Sequence, residues 1–123
     1  MKFVTFEAWC DSIYLPLAEI LLVIREYISD LNWRIEIEEI APEPGASALE
    51  ERIENKQIMS THEVLSYLSP SLQIIDGVLE GFDASNNSVV KIKAVDSMSW
   101  DVESVQEEIL KILKEKFNGV EVE

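Results

Sequence analysis

The sequence predicts an α+β domain in which a small antiparallel sheet, built on a central β-hairpin, is packed by an N-terminal and a C-terminal helix. Three observations lead to this fold class. Residues 72–96 contain two runs rich in Val, Ile and Leu separated by turn formers, which is typical of a hairpin. Residues 33–40 alternate apolar and charged side chains, as a strand with one solvated face does. Residues 16–29 and 104–117 repeat apolar residues at helical spacing, and we expect the 123 residues to form one domain, 1–123.

The N-terminal segment leads into the first helix. Residues 3–10 fit either a short strand or a helical lead-in. The helix that ends at Ser29 is expected to begin at Ser12 or Pro16, because Pro16 fits only in a first turn. Leu22 and Val23 widen the apolar stripe of this helix, so we expect it to be covered on more than one side.

The strand over 33–40 is followed by a predicted loop and two short helices. Trp33 falls on the apolar side of the strand and is predicted to lie in the core. The loop is indicated by Pro42, Pro44 and Gly45. Two serines have the capping-box spacing that predicts a helix start, namely Ser47 with Glu50 and Ser60 with Glu63. Residues 55–59, between these helices, could instead form a brief edge strand.

The hairpin register follows from the requirement that one face be apolar. The predicted pairs are Phe82 with Val89, Gly81 with Val90, Leu79 with Ile92, Gly77 with Ala94 and Ile75 with Asp96 on the apolar face, and Glu80 with Lys91 and Val78 with Lys93 on the other. A slip by one residue would turn both lysines toward the core, so burial should fix this register or one two residues away. Gly77 and Gly81 lie on the apolar face, where we expect close approach of a helix rather than a bulge.

The C-terminal part contains a predicted helix with both ends marked. Residues 97–102 are either a turn or the bent end of the second hairpin strand. Ser104 and Glu107 have capping-box spacing, which predicts a helix over 104–117. Gly119 is predicted to close this helix in the C′ position.

Charge is the strongest compositional signal. Ten basic residues against twenty-four acidic ones give a formal net charge of −14, a surface that would repel nucleic acid and anionic membranes. The charge serves either solubility alone or attraction of a basic macromolecular partner. No apolar run is long enough to cross a membrane and no export signal is visible, which favours the cytoplasm. The single cysteine, Cys10, is interpreted as a small buried hydrophobe.

Patterns that carry catalysis or bind cofactors are missing from the sequence. His62 is the only histidine and has no Cys or His at metal-ligand spacing. Gly77 and Gly81 fall within a strand, not in a phosphate-binding turn. With so many carboxylates, any acidic pair is uninformative, so we predict no enzyme, no metal and no cofactor.

A partner-binding site is predicted where acidic residues occur within or beside the apolar segments of the predicted hairpin. Asp76 and Asp96 interrupt otherwise apolar strands, as turn or bulge residues or as part of a binding surface. Trp100, followed by Asp101, is either a cap over the end of the core or an exposed anchor. The hypothesis is that all four residues contribute to one acidic patch with an aromatic anchor, although the register places Asp76 and Asp96 on opposite faces unless a bulge intervenes.

At IIDGVLEGF followed by VKIKAVDSMSWDVES the chain resembles small acidic immunity proteins of bacterial polymorphic or contact-dependent toxin systems. The resemblance covers residues 70–117 and implies an α+β domain that binds and blocks a basic cognate toxin. The expected function is therefore a non-enzymatic binding protein that neutralises such a toxin. The alternatives are a nucleic-acid-mimicking inhibitor, a homo-oligomeric structural protein (a homodimer, for example) and a small enzyme that uses carboxylates alone.

Overall fold

A computed structural model describes residues 2–42, 44–55, 58–69 and 72–123 of the chain. The strands are Phe3–Glu7 (β1), Trp9–Cys10 (β2), Ile13–Tyr14 (β3), Asn32–Ile40 (β4), Ile58–Ser60 (β5), Ile74–Phe82 (β6), Ser88–Val95 (β7), Ser99–Ser104 (β8) and Val120–Val122 (β9). The helices are Leu17–Val23 (α1), Arg25–Ile28 (α2), Pro44–Asn55 (α3), Thr61–Tyr67 (α4) and Glu107–Lys116 (α5).

Within the described residues, seven strands form one antiparallel sheet in the order β5-β4-β6-β7-β8-β1-β9, and β2 and β3 form a separate hairpin. The predicted α+β class, with the β6–β7 hairpin inside the sheet, is confirmed. The sheet is larger than predicted because β8, β1 and β9 extend it beyond the hairpin. Residues 3–7 form a strand, and residues 97–102 contain both a turn and the start of β8.

The hairpin register is confirmed at five positions. The observed pairs are Gly81 with Val90, Glu80 with Lys91, Leu79 with Ile92, Val78 with Lys93 and Gly77 with Ala94. The ladder shifts after Gly81, so that Phe82 pairs with Ser88 and not with Val89. The predicted pair of Ile75 with Asp96 does not form, because the chain has turned: Asp96 and Ser97 both have a positive φ.

The two strand glycines make room for strand β4 and its lead-in, not for a helix. A Cβ on Gly81 would lie 3.0 Å from Leu31 and 3.2 Å from the ring of Trp33. A Cβ on Gly77 would lie 3.0 Å from the carbonyl oxygen of Glu36. The expectation of helix contact is therefore wrong, and each glycine instead stands beside an irregularity of the ladder.

One face of the sheet is covered by the helices and holds the core. Side chains on alternate strand positions are buried together with the apolar sides of all the helices in one cluster, while the other face stays at least partly exposed. The predicted core position of Trp33 is confirmed, since it is fully buried. Its indole N–H donates to the hydroxyl of Thr61 at 2.7 Å, and that hydroxyl donates to the carbonyl of Ile28.

The first helix and α3 differ from their predicted boundaries, whereas α4 agrees with its predicted start. The first helix is broken at Ile24 into α1 and α2, and Leu22 is 53% exposed, so this helix is not covered on several sides. Helix α3 already begins at Pro44, so Pro44 and Gly45 are helical and Ser47 is not a cap. Helix α4 has the predicted cap, with Ser60 accepting from the N–H of Glu63. The edge strand expected within 55–59 is observed as β5, although residues 56 and 57 lie outside the described residues.

The C-terminal helix begins later than predicted and ends differently. Ser104 lies in β8, where its hydroxyl donates to the carbonyl of Val89 and accepts the N–H of Gln106, the N-cap residue of α5. The left-handed residue after the helix is Asn118, with φ 53°, and not Gly119. Gly119 is needed for close packing instead, because a Cβ there would lie 2.5 Å from Val4.

Candidate functional site

The predicted aromatic anchor, Trp100, lies in the core. It is 1% exposed and its indole N–H donates to the carbonyl of Leu15 at 3.1 Å. The alternation of β8 turns Trp100 and Val102 inward and leaves Asp101 on the exposed face. The prediction that Trp100 is an exposed anchor is therefore wrong, and the alternative of a core residue is what the structure shows.

A turn between β7 and β8 brings Asp96 next to Asp76 of β6. A side-chain oxygen of Asp76 accepts the backbone N–H of Asp96 at 3.0 Å. Asp96 has φ 50° and begins the turn between β7 and β8, whereas Asp76 lies in β6 and stabilises that turn through this hydrogen bond. The ladder of β4 with β6 is irregular near Glu39, which pairs with Asp76.

Asp101 lies apart from that turn on the exposed face of the sheet. Its cross-strand partners are Lys93 on β7 and Thr5 on β1. The four predicted site residues therefore do not form one patch with an aromatic centre. Partner binding by the three aspartates remains a prediction.

The concave feature that sequence reasoning missed is a groove of about 650 Å³ at one end of the sheet. It lies between β1, the β2–β3 hairpin and the C-terminal end of α5. Its apolar lining includes Phe6 and Phe117, whose rings stack at 5.2 Å and 25°. Trp9 and Tyr14, which are paired across the small hairpin, meet at 5.2 Å and 56° and form an aromatic wall.

The hairpin that carries this wall is fixed to the sheet by backbone hydrogen bonds. Asp11 and Ser12 both have positive φ, at 50° and 66°, as the two central residues of a tight hairpin turn require. The N–H of Ala8 donates to Met98 at 2.9 Å, and the indole N–H of Trp9 donates to the carbonyl of Ser97 at 2.8 Å. The position of the Trp9 ring is therefore fixed both by the hydrogen bond of its N–H group and by its contact with the Tyr14 ring.

The groove combines exposed apolar side chains with carboxylates. Trp9, Ile13 and Val120 line it and are 37%, 72% and 61% exposed. The charged lining residues are Glu7, Asp11, Glu19 and Lys116. Among the described residues, ion pairs join Lys2 to Glu121 and Arg52 to Glu63, and none involves these three acids. The groove therefore has an acidic rim with more carboxylates than basic groups.

Two further residues of the groove differ from ordinary expectation. Cys10 is exposed, so its interpretation as a buried hydrophobe is wrong. Burial raises the pKa of Tyr14 to about 12. The backbone of Ile74 lowers this pKa by a smaller amount, but the Tyr14 hydroxyl makes no hydrogen bond of normal geometry to the described residues.

The sequence carried only a faint signal of the groove. Asp11-Ser12 between Trp9 and Ile13 is a turn-forming pair flanked by β-formers, which fits a two-residue hairpin. The remaining lining comes from β1 and the end of α5, which are far apart in sequence. No local pattern brings these segments together.

Known proteins add no information about the site. A comparison with protein-family models, curated proteins and solved structures found no match to this chain. Over the described ranges, no group of three or more His, Cys, Asp or Glu side chains is placed to hold a metal ion. In the same part of the chain, the helices are too short or too polar to cross a membrane.

Proposed function

We propose that this chain is a non-enzymatic binding protein that neutralises a basic protein, most concretely an immunity protein that blocks a toxin domain. The observation that carries the proposal is the groove, in which exposed apolar side chains stand beside three carboxylates without an ion-pair partner among the described residues. Protein interfaces commonly have such an apolar centre and polar rim.

The net charge supports a basic partner. At −14 the field of the whole molecule accelerates encounter with a positive surface, whereas a desolvated apolar centre sets how long the complex lasts. The same charge works against self-association, because two copies repel each other. A basic toxin domain therefore fits the surface better than a second copy of the chain.

The test is inhibition of the protein encoded beside this gene, because immunity genes of the resembled kind lie beside their toxins. The purified toxin domain is assayed with increasing amounts of the chain at about 0.15 M salt, where long-range attraction is largely screened. We expect complete inhibition at a one-to-one molar ratio and none of an unrelated toxin of matched charge.

Two outcomes would contradict the proposal. The first is full activity of the neighbouring toxin in the presence of excess chain. The second is equal binding to many unrelated basic proteins that disappears as salt is raised, which would instead favour a nucleic-acid mimic.

A further inference from the structure

We propose that the groove receives an extended segment of the basic partner and that an arginine side chain of this segment lies against Trp9. This inference rests on the proposed function and specifies which part of the surface makes the contact. Four observations lead to it: an accessible end of strand β1, a fixed aromatic wall, carboxylates that form no ion pair with the described residues, and the sign of the net charge.

The strand edge comes from the unequal lengths of the two neighbours of β1. Strand β8 pairs with β1 as far as Glu7. Strand β9 pairs with β1 only at Phe3, Val4 and Thr5. Of the two residues beyond this pairing, Phe6 is only 4% exposed, whereas Glu7 is exposed and lines the groove. An extended segment can therefore meet the backbone of β1 at Glu7, while its alternate side chains point into the groove.

The aromatic wall favours a flat cation. Trp9 is held by its hydrogen bond to Ser97 and by its contact with Tyr14. Its side chain therefore loses little conformational entropy when a ligand binds. Arginine stacks on aromatic faces and is more weakly hydrated than lysine. Its guanidinium can also form two parallel hydrogen bonds with a carboxylate.

Suitable carboxylates lie in the same groove. Glu7 extends from the end of β1, Asp11 from the hairpin turn and Glu19 from the first turn of α1. Among the described residues that line the groove, Lys116 is the single basic one. The groove thus supplies excess negative charge beside the aromatic wall, which suits arginine and rejects an acidic segment.

The probe is a blocked six-residue peptide that alternates arginine with valine, titrated to millimolar concentration and followed by two-dimensional NMR of the backbone and indole N–H groups. We expect shifts at the Trp9 indole and at the backbone amides of Glu7 and Cys10. A peptide with citrulline in place of arginine keeps the shape and loses the charge. It should bind about tenfold more weakly, and lysine should fall between the two.

Matched variants assign the effect to individual residues. Trp9→Ala and Glu19→Gln should each weaken binding of the arginine peptide about tenfold or more. Glu107→Gln is the control, because Glu107 is an exposed acid in the first turn of α5, the opposite end of that helix from the groove. A thermal melt of each variant checks that folding is intact, and Glu19→Gln tests the site even if Trp9→Ala is unstable.

The results separate this inference from the proposed function. Shifts confined to the exposed face of the sheet, equal binding of the citrulline peptide, or no shifts at all would overturn the groove assignment. Selective toxin inhibition that the Trp9→Ala and Glu19→Gln variants both retain would also overturn the groove assignment. That outcome would leave the immunity role in place. Arginine-dependent binding in the groove without inhibition of the neighbouring toxin would support the site and remove the immunity role.

Discussion

Thr61 is a buried side chain whose hydroxyl connects three parts of the core. It accepts the indole N–H of Trp33 on β4 and donates to the carbonyl of Ile28 at the end of α2. Replacing Thr61 by Val keeps the shape but leaves the buried indole N–H of Trp33 unpaired, which should cost about 1–3 kcal/mol of unfolding free energy. The carbonyl of Ile28 loses one hydrogen bond but still accepts the N–H of Leu31. Urea denaturation measures the loss.

Thr61→Ser is the matched control for that substitution. It keeps the hydroxyl and removes one methyl group, so the expected cost is about 1 kcal/mol. If the Val variant proves as stable as wild type, the hydroxyl bridge contributes nothing net, and the packing of Trp33 alone holds this part of the core.

Gly119 is required by proximity rather than by backbone conformation. A Cβ at this position would lie 2.5 Å from a methyl of Val4 and 3.1 Å from the Cα of Lys114, so Gly119→Ala should cost about 1–3 kcal/mol through overpacking. Asn118→Gly serves as the control, because its φ of 53° suits glycine and the change should be under about 1 kcal/mol. Both are measured by thermal unfolding, and equal stability of the two variants would refute the close contact.

Tyr14 should make stability depend on pH in the alkaline range. Its pKa rises from 10.0 to about 12 on folding, so the unfolded chain loses this proton first as pH increases. The stabilising contribution is therefore present below pH 10 and is lost between pH 10 and about 12. In denaturant titrations, Tyr14→Phe should lose less stability than wild type over this interval. Parallel curves for the two proteins would show that the hydroxyl is not desolvated in the folded state.

At the scale of elements, β7 tests the assignment of the two faces of the sheet. Ile92 is fully buried between β6 and β8, and Ile92→Ala should cost about 2–5 kcal/mol. The neighbouring Lys93 points to the exposed face, so Lys93→Ala should change stability by no more than about 0.5 kcal/mol. Equilibrium unfolding compares the two, and a larger loss for the lysine variant would invert the faces.

The local parts of the fold could be predicted from the sequence, and the non-local parts could not. The pairs of β6 with β7 follow from alternation on either side of one turn, and five of them are observed as predicted. The position of strand β1 in the sheet could not be predicted from its own five residues, because they pair with β8 and β9 near the other end of the chain. Sequence periodicity reports the faces of an element but not such distant neighbours.

The candidate site was harder to predict for the same reason. A shift of one residue in the register of β8 decides whether Trp100 points into the core or into solvent. Because a turn precedes β8, the alternation of β7 does not predict which face Trp100 occupies. Asp76 interrupts an apolar strand because it accepts a turn N–H, a structural role that looks like a functional one in sequence. The groove draws its lining from both ends of the chain, so its residues share no local pattern.

At the scale of the whole molecule, the net charge of −14 should make stability depend on salt. Acidic side chains repel one another, and screening weakens this repulsion, so the melting temperature should rise between about 0.01 M and 0.15 M sodium chloride. Glu39→Gln removes one charge beside Asp76 and should reduce the salt dependence. A melting temperature that falls with salt would mean that favourable ion pairs dominate instead.

The pairing of the first and last strands also determines how the protein responds to mechanical force. Phe3 and Val122 are direct partners, and the chain enters β1 and leaves β9 at the same end of this antiparallel pair. Tension between the two chain ends therefore pulls across the strands, along the direction of their hydrogen bonds. The bonds break one after another, as in a zipper, and not all together as in shear. The three-residue strand β9 should peel away first, at low force, while the central hairpin of β6 and β7 remains paired.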